Sequence, residues 1–344
     1  MSTTQDTPAS TEFEALQQAM KNEFQRRAVA RGESLEEVGR QRMQCYLYRW
    51  REALNFFRPG VLLDIGGGYS YTVVAEEILA HRQDYWYIDI DPSAMAETRA
   101  LFGQYGVPAD HFSTGANHAF GFTSDQFDNV FSSHCIEHSS DLASTLSEIN
   151  RVLKTGGTFC MAVPIGYDEA DEHLYVMGPD DWIRALEVSG FEVLSVNIGK
   201  VYADWAHDLF IAARKTGPVD SPFDASPFDK SHYHFVGHDD PSFEYSGPVQ
   251  RSGFCTVLLE PGARMRWFGK GRPHMLIVRR HGWSGLARIK CADDQWDADQ
   301  YSSIPMNDSI LLPAGTGEFE VTPCRAHRHG QAAQVTILGV LTHR

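Results

Sequence analysis

Closely spaced cysteines are missing from this sequence. Its six cysteines are scattered over 344 residues, and no two of them form a C-x-x-C pair. Small disulfide-stapled domains depend on dense cysteine frameworks, and this spacing argues against one. Several of the cysteines lie inside apolar, strand-like runs, where a free buried thiol is the ordinary outcome. We therefore expect unpaired cysteines.

Long apolar runs and a secretory leader are missing as well. No apolar stretch approaches the roughly 20 residues that a membrane-spanning helix needs. The first ten residues are polar and show neither a basic start nor an apolar centre, so they do not resemble a signal peptide. These features predict a cytoplasmic protein without a membrane partner.

Positive charge is scarce. Lysine and arginine number 30 against 45 aspartate and glutamate residues, which gives a formal net charge of -15. Unspecific binding to nucleic acid needs a basic surface. We therefore expect no nucleic-acid partner.

The most informative stretch that is present runs from Val61 to Leu79. Its apolar first part ends in Asp64, the glycines 66–68 follow, and the remainder has the pattern of a helix. Strand, glycine turn and helix form the opening unit of a nucleotide-binding α/β sheet. The glycines allow a tight turn and a close approach to a ligand, because they carry no Cβ.

A second apolar run ends in Asp89. An acid at the tip of the second strand is placed to accept two hydrogen bonds from a ribose diol. The two runs together leave two cofactor classes open, dinucleotides and S-adenosylmethionine. Dehydrogenases usually carry an apolar residue just before their glycines. Asp64 instead suits the positively charged amino acid end of S-adenosylmethionine, and therefore favours that cofactor.

Four motifs, taken in order, resemble those of class I S-adenosylmethionine-dependent methyltransferases. They are Asp64–Ser70, Phe127–His138, Glu148–Gly157 and Trp182–Val193. The resemblance covers roughly residues 40 to 215. It implies a Rossmann-like α/β sheet and S-adenosylmethionine as cofactor. The cofactor-binding residues that it implies here are Asp64, Gly66, Gly67, Gly68, Ser70, Asp89, Ile90, Asn117 and Ser133.

Asn117 departs from the family pattern. The family usually has an acid after the third strand, which pairs with the adenine amine. This sequence has Asn117 in that region, and we expect its amide oxygen to accept the same bond.

The organisation along the chain predicts an α/β domain followed by an all-β domain. Ser34 to Glu37 has the form of a capping box, which starts a helix before the sheet. Strands are expected near 61–65, 85–90, 128–133, 157–163, 191–197 and 208–214. After about residue 245, short apolar runs alternate with turn clusters, which predicts a sandwich or jelly roll. The predicted boundaries are 1–58 for an N-terminal helical segment, 59–216 for the methyltransferase domain, 217–245 for a linker and 246–344 for the all-β domain.

A hydroxyl acceptor would benefit from a general base. The candidates for catalysis are His134, His138, Asp171 and His173. Two further groups could reach the site: Tyr46, Tyr48 and Arg49 on the preceding helix, and Tyr202, Asp204, His207 and Asp208 before the last strand.

Residues 134–138 also match the zinc-peptidase pattern H-x-x-E-H. That pattern binds zinc when it lies on a helix, whereas here it follows a strand-like run. We therefore expect no zinc at His134 and His138. A loosely held divalent cation at Asp168, Asp171 or Glu172 stays open beside the interpretation of that stretch as a solvated acidic loop.

The sequence thus predicts a methyltransferase that acts on a hydroxyl of a sugar or other small molecule. One alternative is a glycan-binding or scaffolding protein with an inactive methyltransferase-like domain, and a second is a nicotinamide-dependent oxidoreductase. The partner is accordingly a small-molecule or glycan acceptor, and homo-oligomerisation stays open. Aromatic residues that would stack on a sugar in the all-β domain are Trp283, Trp296 and Tyr301.

Overall fold

The computed structural model describes residues 34–68, 71–165, 173–175, 177–200, 207–219, 230–253, 255–270, 272–292, 294–303, 306–313 and 315–344. The predicted site residues Ser70 and Asp171 lie outside the described residues, as do Asp168, Glu172, Tyr202 and Asp204.

A seven-stranded sheet forms the first half of the chain. Its strands are β1 (Gly60–Ile65), β2 (Gln83–Asp89), β3 (Phe112–Thr114), β4 (Phe127–Ser133), β5 (Leu153–Pro164), β6 (Phe191–Lys200) and β7 (His207–Lys215). They lie in the order β3-β2-β1-β4-β5-β7-β6. Strands β1 to β5 all run parallel to one another, whereas β7 runs antiparallel to both β5 and β6. The predicted strands are confirmed.

Five α-helices accompany this sheet in the part of the chain that the structure describes. They are α1 (Leu35–Leu54), α2 (Thr72–Ala80), α3 (Pro92–Gly103), α4 (Leu142–Val152) and α5 (Pro179–Val188). Helix α1 begins as predicted, because the Ser34 hydroxyl accepts a 3.1 Å hydrogen bond from the Glu37 amide. Asp141 caps α4 in the same way through the Ser144 amide, at 2.9 Å. None of the helices described is both long enough and apolar enough to cross a membrane.

Both faces of the sheet are covered. Because side chains alternate along a strand, the neighbours Val130 and Phe131 of β4 belong to two different apolar clusters. Helix α1 is part of the second cluster, where the Trp50 ring lies 4.1 Å from the Phe131 ring. The predicted N-terminal segment is therefore packed directly on the sheet.

The second half of the chain is all-β, as predicted. Its strands are β8 (Tyr233–Gly237), β9 (Phe243–Ser246), β10 (Val249–Arg251), β11 (Thr256–Leu258), β12 (Arg264–Trp267), β13 (Pro273–Arg280), β14 (Gly285–Cys291), β15 (Asp294–Asp299), β16 (Met306–Leu311), β17 (Phe319–Ala326) and β18 (Val335–His343). They form two antiparallel sheets. One has the order β10-β11-β18-β13-β16 with β8 also paired to β18, and the other has the order β15-β14-β17-β12-β9. One apolar core contains residues of both sheets.

The predicted linker 217–245 is too long. Strand β8 pairs with β18, and strand β9 pairs with β12, so both belong to the all-β half. In β8, Tyr233 is buried and His234 is exposed.

The two halves are in contact. Met306 of β16 is 7% exposed and belongs to the same apolar cluster as Met177 and Trp182 of the first half. The Lys230 amide donates a hydrogen bond to the Leu174 carbonyl. The all-β half therefore contributes to the core of the α/β half.

Candidate active site

The glycine turn after β1 has two distinct tasks. Gly66 has a φ of +64°, and a Cβ built on it would lie 2.2 Å from the Cys135 sulfur. Gly68 has a φ of +60°, and no atom lies within 3.9 Å of the position of its Cβ. Gly66 thus lets the segment after β4 approach the turn, whereas Gly68 leaves open space beside it.

Asp64 is a buried acid with an unsatisfied oxygen. It is 1% exposed, and its Oδ2 accepts a 2.8 Å hydrogen bond from the Tyr85 hydroxyl. Its Oδ1 has no hydrogen-bond partner among the described residues. Burial raises the pKa of Asp64 to about 7, against the lowering effect of Tyr85 and with a further increase from Asp89. A cationic ligand would stabilise its charged form.

Asp89 lies at the end of β2 and is connected to the glycine turn. Its Oδ2 accepts a bond of 2.5 Å from the Tyr87 hydroxyl, which in turn accepts from the Gly68 amide at 3.2 Å. Its Oδ1 accepts from the Asp91 amide at 2.8 Å. A carboxylate has about four acceptor positions, so each oxygen keeps capacity for a diol. The neighbouring Ile90 is 57% exposed, and it offers an apolar surface at the same edge.

Asn117 takes part in a local hydrogen-bond network. Its amide oxygen accepts hydrogen bonds from the hydroxyls of Ser139 and Thr145, both at 3.2 Å. Its amide nitrogen points to the Cys135 sulfur at 3.9 Å. The Thr145 hydroxyl also has the Asp141 carbonyl at 2.9 Å and the Ser139 hydroxyl at 2.6 Å, so its single proton is shared among several acceptors. The bond from the adenine amine to the Asn117 oxygen stays a prediction.

Three side chains from distant parts of the chain meet at the end of β4. Asp208 is buried, and its Oδ1 lies 2.7 Å from His134 Nε2. Its Oδ2 accepts a bond of 2.5 Å from Arg49 Nε on α1. Burial raises the pKa of Asp208, but the charges of His134 and Arg49 outweigh it, and the pKa is lowered overall. Arg49 also donates to the predicted cofactor residue Ser133, at 3.4 Å.

This arrangement fixes the orientation of His134. An ionised Asp208 can only accept, so Nε2 carries the proton and donates it. The other ring nitrogen, Nδ1, lies 3.6 Å from Glu137 Oε1. His134 itself has a φ of +51°, an uncommon backbone conformation outside glycine.

Glu137, His138 and His173 form a second cluster. Each offers one ligand atom, and these atoms lie within 4.8 Å of one another. Glu137 and His138 belong to a single turn of 3-10 helix (Ile136–His138) after β4, whereas His173 follows β5. The predicted catalytic residues His138 and His173 therefore come together, with their ring centroids 4.7 Å apart.

Comparison with known families identifies the part of the chain that holds Asp64, Asp89 and His134. Residues 63–161 match the family described as a methyltransferase domain. This stretch is a methyltransferase domain. It extends from β1 into β5 and includes Asp64, Asp89 and the segment 134–138. The cofactor of the domain is S-adenosylmethionine.

Relatives of the methyltransferase domain are distant. A non-reducing polyketide synthase of Penicillium roqueforti is 25% identical over 170 residues, which are 43% of this chain and 7% of that protein. The 2-methyl-6-phytyl-1,4-hydroquinone methyltransferase 1 of Oryza sativa is 24% identical over 192 residues, 51% of this chain and 57% of that protein. The chain thus spans less than two thirds of the length of either relative.

Among solved structures, the 1,6-didemethyltoxoflavin-N1-methyltransferase of Burkholderia thailandensis aligns with a TM-score of 0.42 and 17% identity. The alignment covers 63% of this chain and 94% of that one.

The residues of the methyltransferase domain fit its cofactor. The orphaned oxygen of Asp64 suits a cationic amino group, Asp89 keeps acceptor capacity for the ribose diol, and the exposed Ile90 suits the adenine ring. Gly67 has no space for a side chain, since a Cβ there would lie 2.6 Å from the Tyr46 hydroxyl.

Sequence reasoning assigned no role to Glu137. The H-x-x-E-H pattern contains it, but the pattern draws attention to the two histidines at its ends. Its actual neighbours are His138 and the distant His173. The third member of the cluster follows another strand, and spacing within the motif does not reveal it.

Proposed function

We propose that the protein transfers a methyl group from S-adenosylmethionine to a hydroxyl of a small molecule, with sugars as one acceptor class. The observation that carries this proposal is the position of His134. His134 follows β4, and the buried Asp208 orients its ring. Its neighbour Cys135 lies against Gly66 of the glycine turn. A proton acceptor and the cofactor turn are thereby held side by side.

Three residues would hold the cofactor. Asp64 would face its cationic end, Asp89 its ribose and Ile90 its adenine. When bound, S-adenosylmethionine supplies the methyl group on a positively charged sulfur. A neutral thioether leaves, so no acid is needed for the leaving group, and alignment of the reactants is the main requirement.

His134 would act as the general base. Because Nε2 donates to Asp208, Nδ1 keeps its lone pair and can take the proton of the acceptor hydroxyl. The acceptor oxygen gains the methyl group, and the proton ends on His134 Nδ1. The resulting imidazolium is stabilised by Asp208, because the positive charges of Arg49 and of the protonated His134 lower the pKa of that carboxyl and outweigh the raising effect of burial.

We further propose that the all-β half takes part in recognising the acceptor. Trp283 is 54% exposed, and the Tyr301 ring stacks on His327 at 4.4 Å between centroids. Trp296 fits this role less well, because it packs against the core between the two sheets. We also propose a reducing compartment such as the cytoplasm, since all six cysteines are free thiols.

The test combines cofactor binding with turnover on a panel of hydroxyl compounds, followed by detection of S-adenosylhomocysteine. Wild-type protein should bind S-adenosylmethionine, and Asp89→Ala should weaken that binding at least about tenfold, because charge-assisted hydrogen bonds are worth about 1.5–3 kcal/mol each. His134→Ala should lower kcat and leave cofactor affinity unchanged. The exposed His81→Ala serves as control. Tight binding of a nicotinamide dinucleotide, or turnover only with nitrogen or sulfur acceptors, would contradict the proposal.

A further inference from the structure

We propose that Glu137, His138 and His173 bind a divalent transition-metal ion beside the general base. Their ligand atoms lie within 4.8 Å of one another. The two segments that supply them are fixed to each other, because the Leu174 amide donates a 3.0 Å hydrogen bond to the Glu137 carbonyl. The bond joins residues adjacent to His173 and His138, and the backbone therefore holds the cluster together.

The buried state of Glu137 is the independent observation. Its side chain is 1% exposed, and neither carboxylate oxygen has a hydrogen-bond partner among the described residues. His134 Nδ1 lies 3.6 Å and His138 Nε2 lies 3.8 Å from Glu137 Oε1, and both distances exceed that of a hydrogen bond. Buried charges in proteins are paired or coordinate metals. A cation in this cluster would satisfy the carboxylate.

The histidines leave the cluster accessible. Their rings meet edge to face at an interplanar angle of 60°, and the His138 side chain is 28% exposed. An ion held by these three residues would thus keep a side open to solvent or substrate. Three protein ligands and one open position are typical of catalytic metal sites.

The donor set indicates the kind of ion. Two imidazoles and one carboxylate suit Zn²⁺ or a neighbouring transition metal better than Ca²⁺ or Mg²⁺, which prefer oxygen ligands. Bond lengths near 2.0–2.1 Å place tetrahedral zinc ligands roughly 3.4 Å apart. Glu137 Oε1 and His138 Nε2 are 3.8 Å apart, so a small movement of the two side chains toward each other would give the spacing of tetrahedral zinc ligands.

This inference revises one expectation from the sequence. No zinc was expected at His134 and His138, because a strand-end loop does not present them together. His134 Nε2 indeed points to Asp208. His138 instead meets His173, which follows another strand, and this pair with Glu137 makes the site.

The role of the ion rests on the proposed function. A hydroxyl bound to a divalent metal has a strongly lowered pKa. His134 Nδ1 borders the cluster through Glu137 and would receive the proton that the hydroxyl loses. The metal keeps its oxidation state, and the only bonds that change are those to the proton and the methyl group.

Metal binding is tested on the full-length protein after treatment with a chelator. Calorimetric titration with Zn²⁺ alone should show one site per chain, and Co²⁺ should give the visible absorption of a protein-bound ion. His173→Ala and Glu137→Gln should each weaken Zn²⁺ binding by more than about a hundredfold. This loss exceeds the one that is typical when a residue that only contacts a metal ligand is replaced. His81→Ala, an exposed histidine of the same domain, should leave it unchanged. Thermal unfolding and cofactor affinity show whether each variant is folded.

The possible outcomes test the metal site and the proposed methyl transfer separately. No stoichiometric binding of Zn²⁺, Mn²⁺ or Mg²⁺ by the wild-type protein, or equal affinity in folded His173→Ala, overturns the metal site. Full turnover of a hydroxyl acceptor by chelated protein overturns the role of the ion but leaves the proposed function standing. Metal binding that depends on His173, without methyl transfer to any acceptor, supports the site and contradicts the proposed function.

Discussion

Asp208 Oδ1 lies 2.7 Å from His134 Nε2, although 74 positions separate the two residues in the chain. The reason is the direction of β7. Because β7 is antiparallel to β5, with Asp208 opposite Pro164, its first residues lie at the edge where the parallel strands end. A residue at the start of β7 thereby meets His134, which follows β4.

The ion pair of Arg49 with Asp208 should contribute strongly to stability. Both side chains are less than 10% exposed, and removing one partner of a buried pair costs about 3–5 kcal/mol. Arg49→Met should lower the free energy of unfolding by that amount. Arg51 on the same helix pairs with Glu77 but is 57% exposed, so Arg51→Met should cost about 1 kcal/mol or less. Urea denaturation of both variants checks the difference, and equal losses would contradict it.

The acid dependence of stability should follow from the same pair. The pKa of Asp208 is held below its ordinary value of 3.8. A depressed carboxyl pKa stabilises the folded state above the unfolded value, and this contribution is lost as pH falls through the folded value. The wild-type protein should therefore lose stability below about pH 4 more steeply than Arg49→Met, as measured by unfolding at several pH values.

The sequence places the residues proposed to hold the cofactor at strand ends, and the reason is local. Asp64 and Asp89 each stand directly at the end of an apolar run, and Gly66 and Gly68 follow at once, so strand ends and site residues coincide along the chain. The rest of the candidate site is not local. His134, Asp208 and His173 come from the ends of three different strands, and only the sheet order brings them together.

Asn117 shows a different limit of sequence reasoning. Its place after β3 predicts a contact with adenine, and the hydroxyls of Ser139 and Thr145 also lie 3.2 Å from its amide oxygen. Short-range polar networks of this kind depend on side-chain positions that no periodicity reveals. The same holds for Met306, whose membership in the core of the other half has no signature in the sequence.

Asp64 should make cofactor affinity depend on pH. Burial raises its pKa to about 7, so the folded protein holds a proton between about pH 4 and 7 that the unfolded chain has lost. Stability should accordingly fall as pH rises through this window. A cationic cofactor favours the charged acid, so binding should release a proton and strengthen as pH approaches 7.

Calorimetry in buffers of different ionisation enthalpy measures that proton. Asp64→Asn should abolish the release and flatten the stability profile below pH 7. Identical proton release in the wild type and in Asp64→Asn would mean that the cofactor does not sense this acid.

Replacing the two positive-φ glycines should have unequal effects. Gly68→Ala introduces a left-handed alanine, which costs roughly 1–2 kcal/mol, but its Cβ meets no atom within 3.9 Å. Gly66→Ala carries the same backbone strain, and its Cβ also clashes with the sulfur and Cβ of Cys135. Overpacking of this kind adds about 1–3 kcal/mol. Denaturation should show the larger loss for Gly66→Ala, and the added change Cys135→Gly should recover part of it.

Met306 should couple the two halves of the chain. It is 7% exposed and lies in the apolar cluster of Met177 and Trp182, and truncation of a buried methionine costs about 2–5 kcal/mol. Met306→Ala should lower the free energy of unfolding by that amount and reduce the cooperativity of thermal unfolding. Leu311 on the same strand is 62% exposed, so Leu311→Ala should change stability by no more than about 0.5 kcal/mol.

The same contact bears on a fragment that ends near residue 218. Such a fragment would lose Met306 from its core and the hydrogen bond of the Lys230 amide with Leu174. We therefore expect it to unfold at a lower temperature than the full-length protein and to bind S-adenosylmethionine more weakly. If Met306→Ala matched Leu311→Ala in stability and the fragment kept full cofactor affinity, the two halves would be independent, and the contact would be incidental.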